Sequence, residues 1–395
     1  MESSNIALNH REPDEQEKFS KVEEEDTSSI TEIKEPFDPR KIDIDTKTPT
    51  LDLMIKRLKS NPPAIDLYPD FQRKAGIWSL EKESQLIESI LMRLPLPAFY
   101  FDGSDENKWL VVDGLQRLTT LKKYIIDQVF ALDHLEFLTQ LKGKYYKDLP
   151  IEFQRRIEET QIIAYIIKPG TPEDVKFNIF KRINTGGEPL TPQEIRHALN
   201  QGLPAKVIAE LAQIPAFRKA TRNINPDRML DRDFVNRFVA FYLTPYEKYE
   251  PDLDTFLNKG MRKLKESDID LKKLKNDFSK AMDTAHAIFG KYAFRKQFAP
   301  NERLKPVSKA LFEVWSVALA NLDDTERKIL TENKRILVDQ FIKIMNEDEK
   351  FLQAITQSTG DKSRVIKRFS TIKYLVQQTI QRYAKTNSNQ ELQGP

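Results

Sequence analysis

Within five residues of Val112 the chain changes its periodicity, and that change constrains the fold more than any other feature. Trp109 to Val112 is a short aromatic and β-branched run of strand character, whereas from Gln116 onward Leu118, Leu121 and Ile125 recur at helical spacing. A strand must therefore turn sharply into a helix at Asp113-Gly114-Leu115-Gln116-Arg117. Gly114 permits that turn without Cβ strain and leaves the first helical N–H groups open to an anion, which Arg117 in the first turn would also face. Asp113 is the unusual residue, because a carboxylate beside a phosphate cradle repels the ligand unless it holds a metal, orients Arg117 or activates water. The residues alone leave a plainer reading open: an ordinary strand–turn–helix with a surface arginine and Asp113 as helix N-cap.

The 395 residues are enough for two or three domains. Zero cysteines exclude disulfides, thiolate nucleophiles and cysteine-based zinc sites, and suit a reducing, cytoplasmic setting. His10, His134, His197 and His286 are too scattered to form a metal-ligand motif. There is neither an apolar run of membrane-spanning length nor a secretory signal, so no membrane partner is expected. The formal net charge of +3 is unevenly spread: residues 1–50 carry 14 Asp/Glu against 7 Lys/Arg, a net of −7, which leaves +10 on the rest. A basic body with an acidic leader is compatible with nucleic-acid or nucleotide contact, with the run Glu23-Glu24-Glu25-Asp26 either masking the basic surface in cis or simply solvating the tail.

Residues 1–47 read as a disordered acidic tail, 48–200 as an α+β domain, 201–384 as a helical domain and 385–395 as a mobile polar tail. Leu51, Met54, Ile55 and Leu58 form one helical face. Ser79 is placed to cap a second helix with an inward face of Leu80, Ile87, Leu91 and Leu94. Ala98 to Phe101 reads as a strand paired with Trp109 to Val112, and Ile162 to Ile167 as another strand. Thr171-Pro-Glu-Asp174 and Thr191-Pro-Gln-Glu194 each carry the pattern of a capped helix start. Between them, Asn184-Thr-Gly-Gly187 permits a tight turn or an oxyanion nest. Gln72 and Arg73 follow an extended segment, where they either contact a ligand or simply flank Phe71. Lys142-Gly-Lys-Tyr-Tyr-Lys147 is a basic aromatic patch that also fits a turn. Ser267 caps a helix that ends at Gly290, and Lys362, Arg364, Lys367 and Arg368 cluster near Thr359-Gly360.

Several of these pieces occur together in one known family. With Pro69-Asp-Phe-Gln-Arg73, Leu86 to Pro97, Val112-Asp-Gly-Leu-Gln-Arg-Leu-Thr-Thr120, Phe180-Lys-Arg-Ile-Asn-Thr-Gly-Gly187, Leu190 to Arg196, Arg237 to Phe241 and Arg364 to Phe369, the chain resembles the N-terminal domain of GmrSD-type restriction systems, in the ParB/sulfiredoxin-like superfamily. The resemblance implies a small mixed sheet with helices, followed here by a mostly helical C-terminal domain. It also implies a nucleoside triphosphate with Mg²⁺ at the turn, where Asp113, Gln116 and Arg117 are catalytic candidates and Asp113 the metal ligand. Gly114, Gln72, Arg73, Asn184 and Gly186 would line the same cleft. Leu115 stands where the family usually has a glutamine, which puts turnover in doubt and leaves a nucleotide-gated switch as an outcome. Many relatives add an HNH nuclease; the histidine count here predicts none in this chain, so any cleavage would come from a partner. The expectation is thus a nucleotide-binding, NTP-hydrolysing, DNA-associated protein of a restriction or phage-defence system. A non-catalytic DNA-binding or adaptor module and a ParB-like DNA nuclease are the alternatives.

Overall fold

The computed structural model describes residues 19–25, 39–67, 78–105, 107–183 and 190–391, with side chains through residue 383. Its organising layer is a five-stranded mixed sheet of order β1-β5-β3-β4-β2, formed by β1 (Ile44–Lys47), β2 (Ile65–Asp66), β3 (Phe99–Asp105), β4 (Lys108–Asp113) and β5 (Ala164–Ile167). β3 and β4 form the expected antiparallel hairpin, with Phe101 opposite Val111 and Tyr100 opposite Asp113. β5 lies parallel to β3, β2 parallel to β4, and β1 antiparallel to β5.

Alternation along the strands buries both faces of this sheet. Phe99, Phe101, Trp109, Val111, Ala164 and Ile166 pack on helices Leu51–Lys59, Leu80–Leu91, Leu115–Leu121 and Ile151–Glu159. On the opposite face, Tyr100, Leu110, Val112 and Ile167 meet helices Glu173–Ile183 and Pro192–Leu199. The fold is α+β, a small mixed sheet with helices, and from Leu203 onward the described chain is helical around a second, larger core that includes Phe234, Phe238, Phe278, Phe312 and Trp315.

Most helix starts follow their sequence signals. Thr50 and Ser79 cap their helices, and Thr191 with Glu194 closes a full capping box. Three expectations are corrected. The helix that starts at Leu80 ends at Leu91 and buries Leu86, Ile87, Ile90 and Leu91, which leaves Leu80 and Leu94 exposed. Asp270, whose carboxylate accepts from the Lys272 and Lys273 N–H groups, caps the helix assigned to Ser267. Helix Glu173–Ile183 starts two residues after Thr171, whose buried Oγ1 has no hydrogen-bond partner.

Part of the leader is also structured, against the reading of residues 1–47 as disordered. β1 forms an edge of the sheet, and residues 20–25 run extended along the helical half. The reason is specific pairing: Ser20 N–H donates to Asn223 C=O, Glu23 N–H to Val307 C=O, and Val307 N–H to Lys21 C=O. Polar composition hides such pairing, because backbone groups rather than apolar side chains supply the contacts.

Candidate active site at the end of β4

β4 ends at Asp113, and Gly114 turns the chain into helix Leu115–Leu121 with φ +97°. Two independent restrictions fall on Gly114. Its backbone is left-handed, and a Cβ there would lie 2.4 Å from Phe99 Cδ1 and 2.9 Å from Phe99 Cε1. The turn therefore brings the backbone directly against an aromatic ring of β3. Gly114 occupies the N-cap position without a side-chain cap, so Asp113 is not the N-cap that the plainer reading assigned to it.

Asp113 instead faces Arg117, with Oδ2 2.9 Å from Nη2. The guanidinium is buried, 8% exposed, and lies 4.2 Å from the centre of the Phe99 ring. Its Nη2 also donates to Ala98 C=O at 3.0 Å, and Nη1 donates to Pro97 C=O. Arg117 thus fastens the chain entering β3 to the helix leaving β4. Burial pushes the Asp113 carboxyl above its usual range, even against the pull of Arg117 and of the Gly114 N–H. Burial likewise lowers Arg117, although Asp113 opposes it. The Asp113 side chain keeps 24% exposure, so of the two it is the group that solvent or a ligand can reach.

The same short segment touches the helical half. Leu110, Leu115 and Leu190 all pack on buried Met229, which lies with Arg228 in left-handed backbone just before helix Leu230–Leu243. Arg228 forms a fork onto Glu194, with Nε–Oε1 2.9 Å and Nη2–Oε2 2.8 Å. Leu115 is therefore a packing residue, which gives a structural reason for an apolar side chain at that position. Of the other candidates, Gln116 is half-buried in the first turn of the helix. Gln72, Arg73, Asn184 and Gly186 lie outside the described residues.

This strand, turn and helix fall within a recognisable unit, since residues 51–200 match the family model described as the GmrSD restriction endonuclease, N-terminal domain. Residues 51–200 are thus similar to that domain. No curated protein matches the chain significantly. The matched segment begins at the first helix on the sheet and ends one residue after helix Pro192–Leu199, so it holds the whole turn while β1 and the helical half lie outside it.

Inside the matched segment, sequence reasoning missed two polar centres. Glu88, 2% exposed, accepts N–H bonds from Glu136 at 3.1 Å, Phe137 at 2.8 Å and Leu138 at 2.7 Å, and so folds the following loop onto helix Leu80–Leu91. Lys176, 3% exposed, binds Ser104 Oγ and lies 2.9 Å from Glu173 and 3.6 Å from Asp102. The only sequence signal was a charge at a position where helical spacing requires an apolar residue. At the domain's end, Arg196, 1% exposed, reaches Asp233 at 2.8 Å and Asp254 at 2.9 Å, both in the helical half. Among the described residues no group of three or more His, Cys, Asp or Glu is placed to hold a metal, and no helix is long and apolar enough to cross a membrane.

Proposed function

We propose that this chain is a DNA-associated, nucleotide-binding component of a restriction or phage-defence system, with a nucleoside triphosphate at the Asp113–Arg117 turn. The GmrSD N-terminal domain over residues 51–200 supports the system. The observation that carries the site is Asp113: a partly exposed carboxylate at the end of a central strand, beside a glycine turn that admits no side chain. Mg²⁺ would arrive with the nucleotide, because Asp113 supplies one carboxylate and no group of three or more His, Cys, Asp or Glu is placed to hold a metal among the described residues. Bound there, the ion would neutralise phosphate charge. Asp113 would hold the ion or orient water, Gln116 would contact the phosphates, and Arg117 would hold Asp113 and the β3 entry in register. Leu115, Leu190 and Met229 meet beside the turn, so a ligand there would bias how the two halves pack.

A specific observation favours the second reading, a non-catalytic DNA-binding or adaptor module. Arg117 is committed to Pro97, Ala98 and Asp113 rather than to open space. A thermal-shift panel of nucleoside triphosphates with Mg²⁺ separates the readings, since a ligand bound to the folded state raises apparent stability. On the nucleotide reading at least one triphosphate raises the midpoint in wild type and fails to do so in Asp113→Asn. If no triphosphate shifts the wild type while salt-sensitive DNA binding persists, the module reading stands. Calorimetry on Arg117→Lys adds a check: the ammonium keeps the charge but loses the fork that holds Pro97 and Ala98, so a purely structural arginine lowers stability without a specific loss of affinity.

A further inference from the structure

The structured leader ends in a charge arrangement that the nucleotide reading does not use. Glu25 turns its side chain into the helical half, where it is 11% exposed. Arg237 meets it as a fork, with Nη1–Oε1 3.0 Å and Nη2–Oε2 2.5 Å. Thr359 Oγ1 donates to Oε1 at 3.0 Å, and Lys309 Nζ lies 3.7 Å from Oε2. These donors come from three separate elements: helix Leu230–Leu243, the start of helix Lys309–Ala320, and the turn before helix Lys362–Glu391. Burial pushes the Glu25 carboxyl upward, but Arg237 and Lys309 outweigh it and hold the group ionised.

Behind Glu25 the charges continue. Arg237 also meets Glu313 at 2.5 Å and Asp233 at 3.3 Å, Lys309 meets Asp233 at 2.9 Å, and fully buried Arg368 meets Glu313 at 2.7 Å. Without Glu25, three cations, Arg237, Lys309 and Arg368, would face two carboxylates, with Asp233 already shared with Arg196. A buried excess cation is costly, so an anion must occupy the position. The leader is attached chiefly through polar groups. Its backbone bonds Asn223 and Val307, Ser20 Oγ donates to Thr221 C=O at 2.7 Å and accepts from Arg295 Nη2 at 2.7 Å, Val22 packs on the core, and Glu23 pairs with Lys296. At its end the attachment is ionic, through Glu25 to Arg237 and Lys309.

We propose that residues 20–25 are an internal anionic strap over a phosphate-binding site formed by Arg237, Lys309 and Thr359, with Glu25 holding the place of the phosphate. A guanidinium fork, an ammonium and a hydroxyl converging on two oxygens are a donor set that a phosphate group satisfies at least as well as a carboxylate does. The site is separate from the Asp113 turn and does not depend on it.

The test uses the full chain at low salt with three probes: pyrophosphate, ATP and a single-stranded oligonucleotide. In wild type, hydrogen exchange at the Glu23 amide, which is bonded to Val307, rises when a saturating probe displaces the strap. Glu25→Gln binds that probe about tenfold tighter than wild type, and Glu25→Gln with Lys309→Gln loses the gain. A response to pyrophosphate and ATP identifies a nucleotide-type ligand; a response to the oligonucleotide alone identifies a strand backbone. If no probe alters Glu23 exchange, or the gain survives Lys309→Gln, the strap is a permanent structural clasp and the proposal falls. The exchange arm needs no variant, so it decides even if Glu25→Gln folds poorly. Repeating the binding in Asp113→Asn keeps the two sites apart: a gain that persists there leaves the strap proposal intact whatever the turn does.

Discussion

Gly114 shows how much one residue can decide. Its left-handed backbone costs any L side chain about 1–2 kcal/mol, and the ring of Phe99 leaves no room for a Cβ. Gly114→Ala is therefore expected to lose that amount plus roughly 1–3 kcal/mol for the overlap, measured as a shift of the urea midpoint. A loss under about 0.5 kcal/mol, the range of an ordinary surface change, would mean that the turn relaxes and is not the rigid platform argued for Asp113. Arg117 complicates the same turn in an instructive way. From the sequence it reads as an arginine facing an anion at a helix start; in the fold its nearest acceptors are two backbone carbonyls and its own neighbour's carboxylate. The difference arises because Pro97 and Ala98 approach the turn only through sheet pairing, which no local spacing reveals.

Among the elements, helix Leu80–Leu91 depends on a charge at its centre. Glu88 satisfies three N–H groups of the Glu136–Leu138 loop. Burial raises its carboxyl, yet those three donors together bring it below the ordinary value. A carboxylate depressed on folding contributes stability that is fully present above its unfolded value near 4.5 and is lost as the pH falls through the folded value. Glu88→Gln keeps one acceptor oxygen and loses the charge, so it should cost about 2 kcal/mol at pH 7, and the gap to wild type should narrow as the pH is lowered from 5 toward 3. A gap that stays constant with pH would show that shape rather than charge holds the loop. Elements of this kind were legible only in outline. The hairpin, the Thr191 capping box and the helical face around Leu51 follow from local pattern, since each is specified by neighbours in sequence. Glu88, Lys176 and Glu25 bind groups between 48 and 334 residues away, and a charged residue in a helical pattern looks the same whether it faces solvent or a buried donor. The basic cluster at residues 362–368 makes the same point, because Lys362 pairs with Glu250, Lys367 with Asp348 at 2.6 Å, and Arg368 with buried Glu313.

Across the whole molecule, the two halves meet through charge more than through oil. Met229 contributes a small apolar contact with Leu110, Leu115 and Leu190, while Arg196 crosses the junction to Asp233 and Asp254, and Arg262 crosses it to Asp174 at 3.1 Å. Asp233 keeps Arg237 and Lys309, and Asp254 keeps Lys181, so loss of Arg196 falls on the junction rather than on either core. Each half has its own large apolar cluster, which is the condition for independent unfolding. Arg196→Leu should therefore cost about 1.5–3 kcal/mol of coupling and split a single calorimetric transition into two, the helical half retaining the higher midpoint because its core is larger. Added salt should weaken the coupling in wild type in the same direction, because exposed edges of the network such as Lys181 are screened. A variant that still unfolds in one step at a lower temperature would place the coupling in Met229 and its three leucines, and a ligand at the Asp113 turn would then act on the helical half through that apolar contact alone.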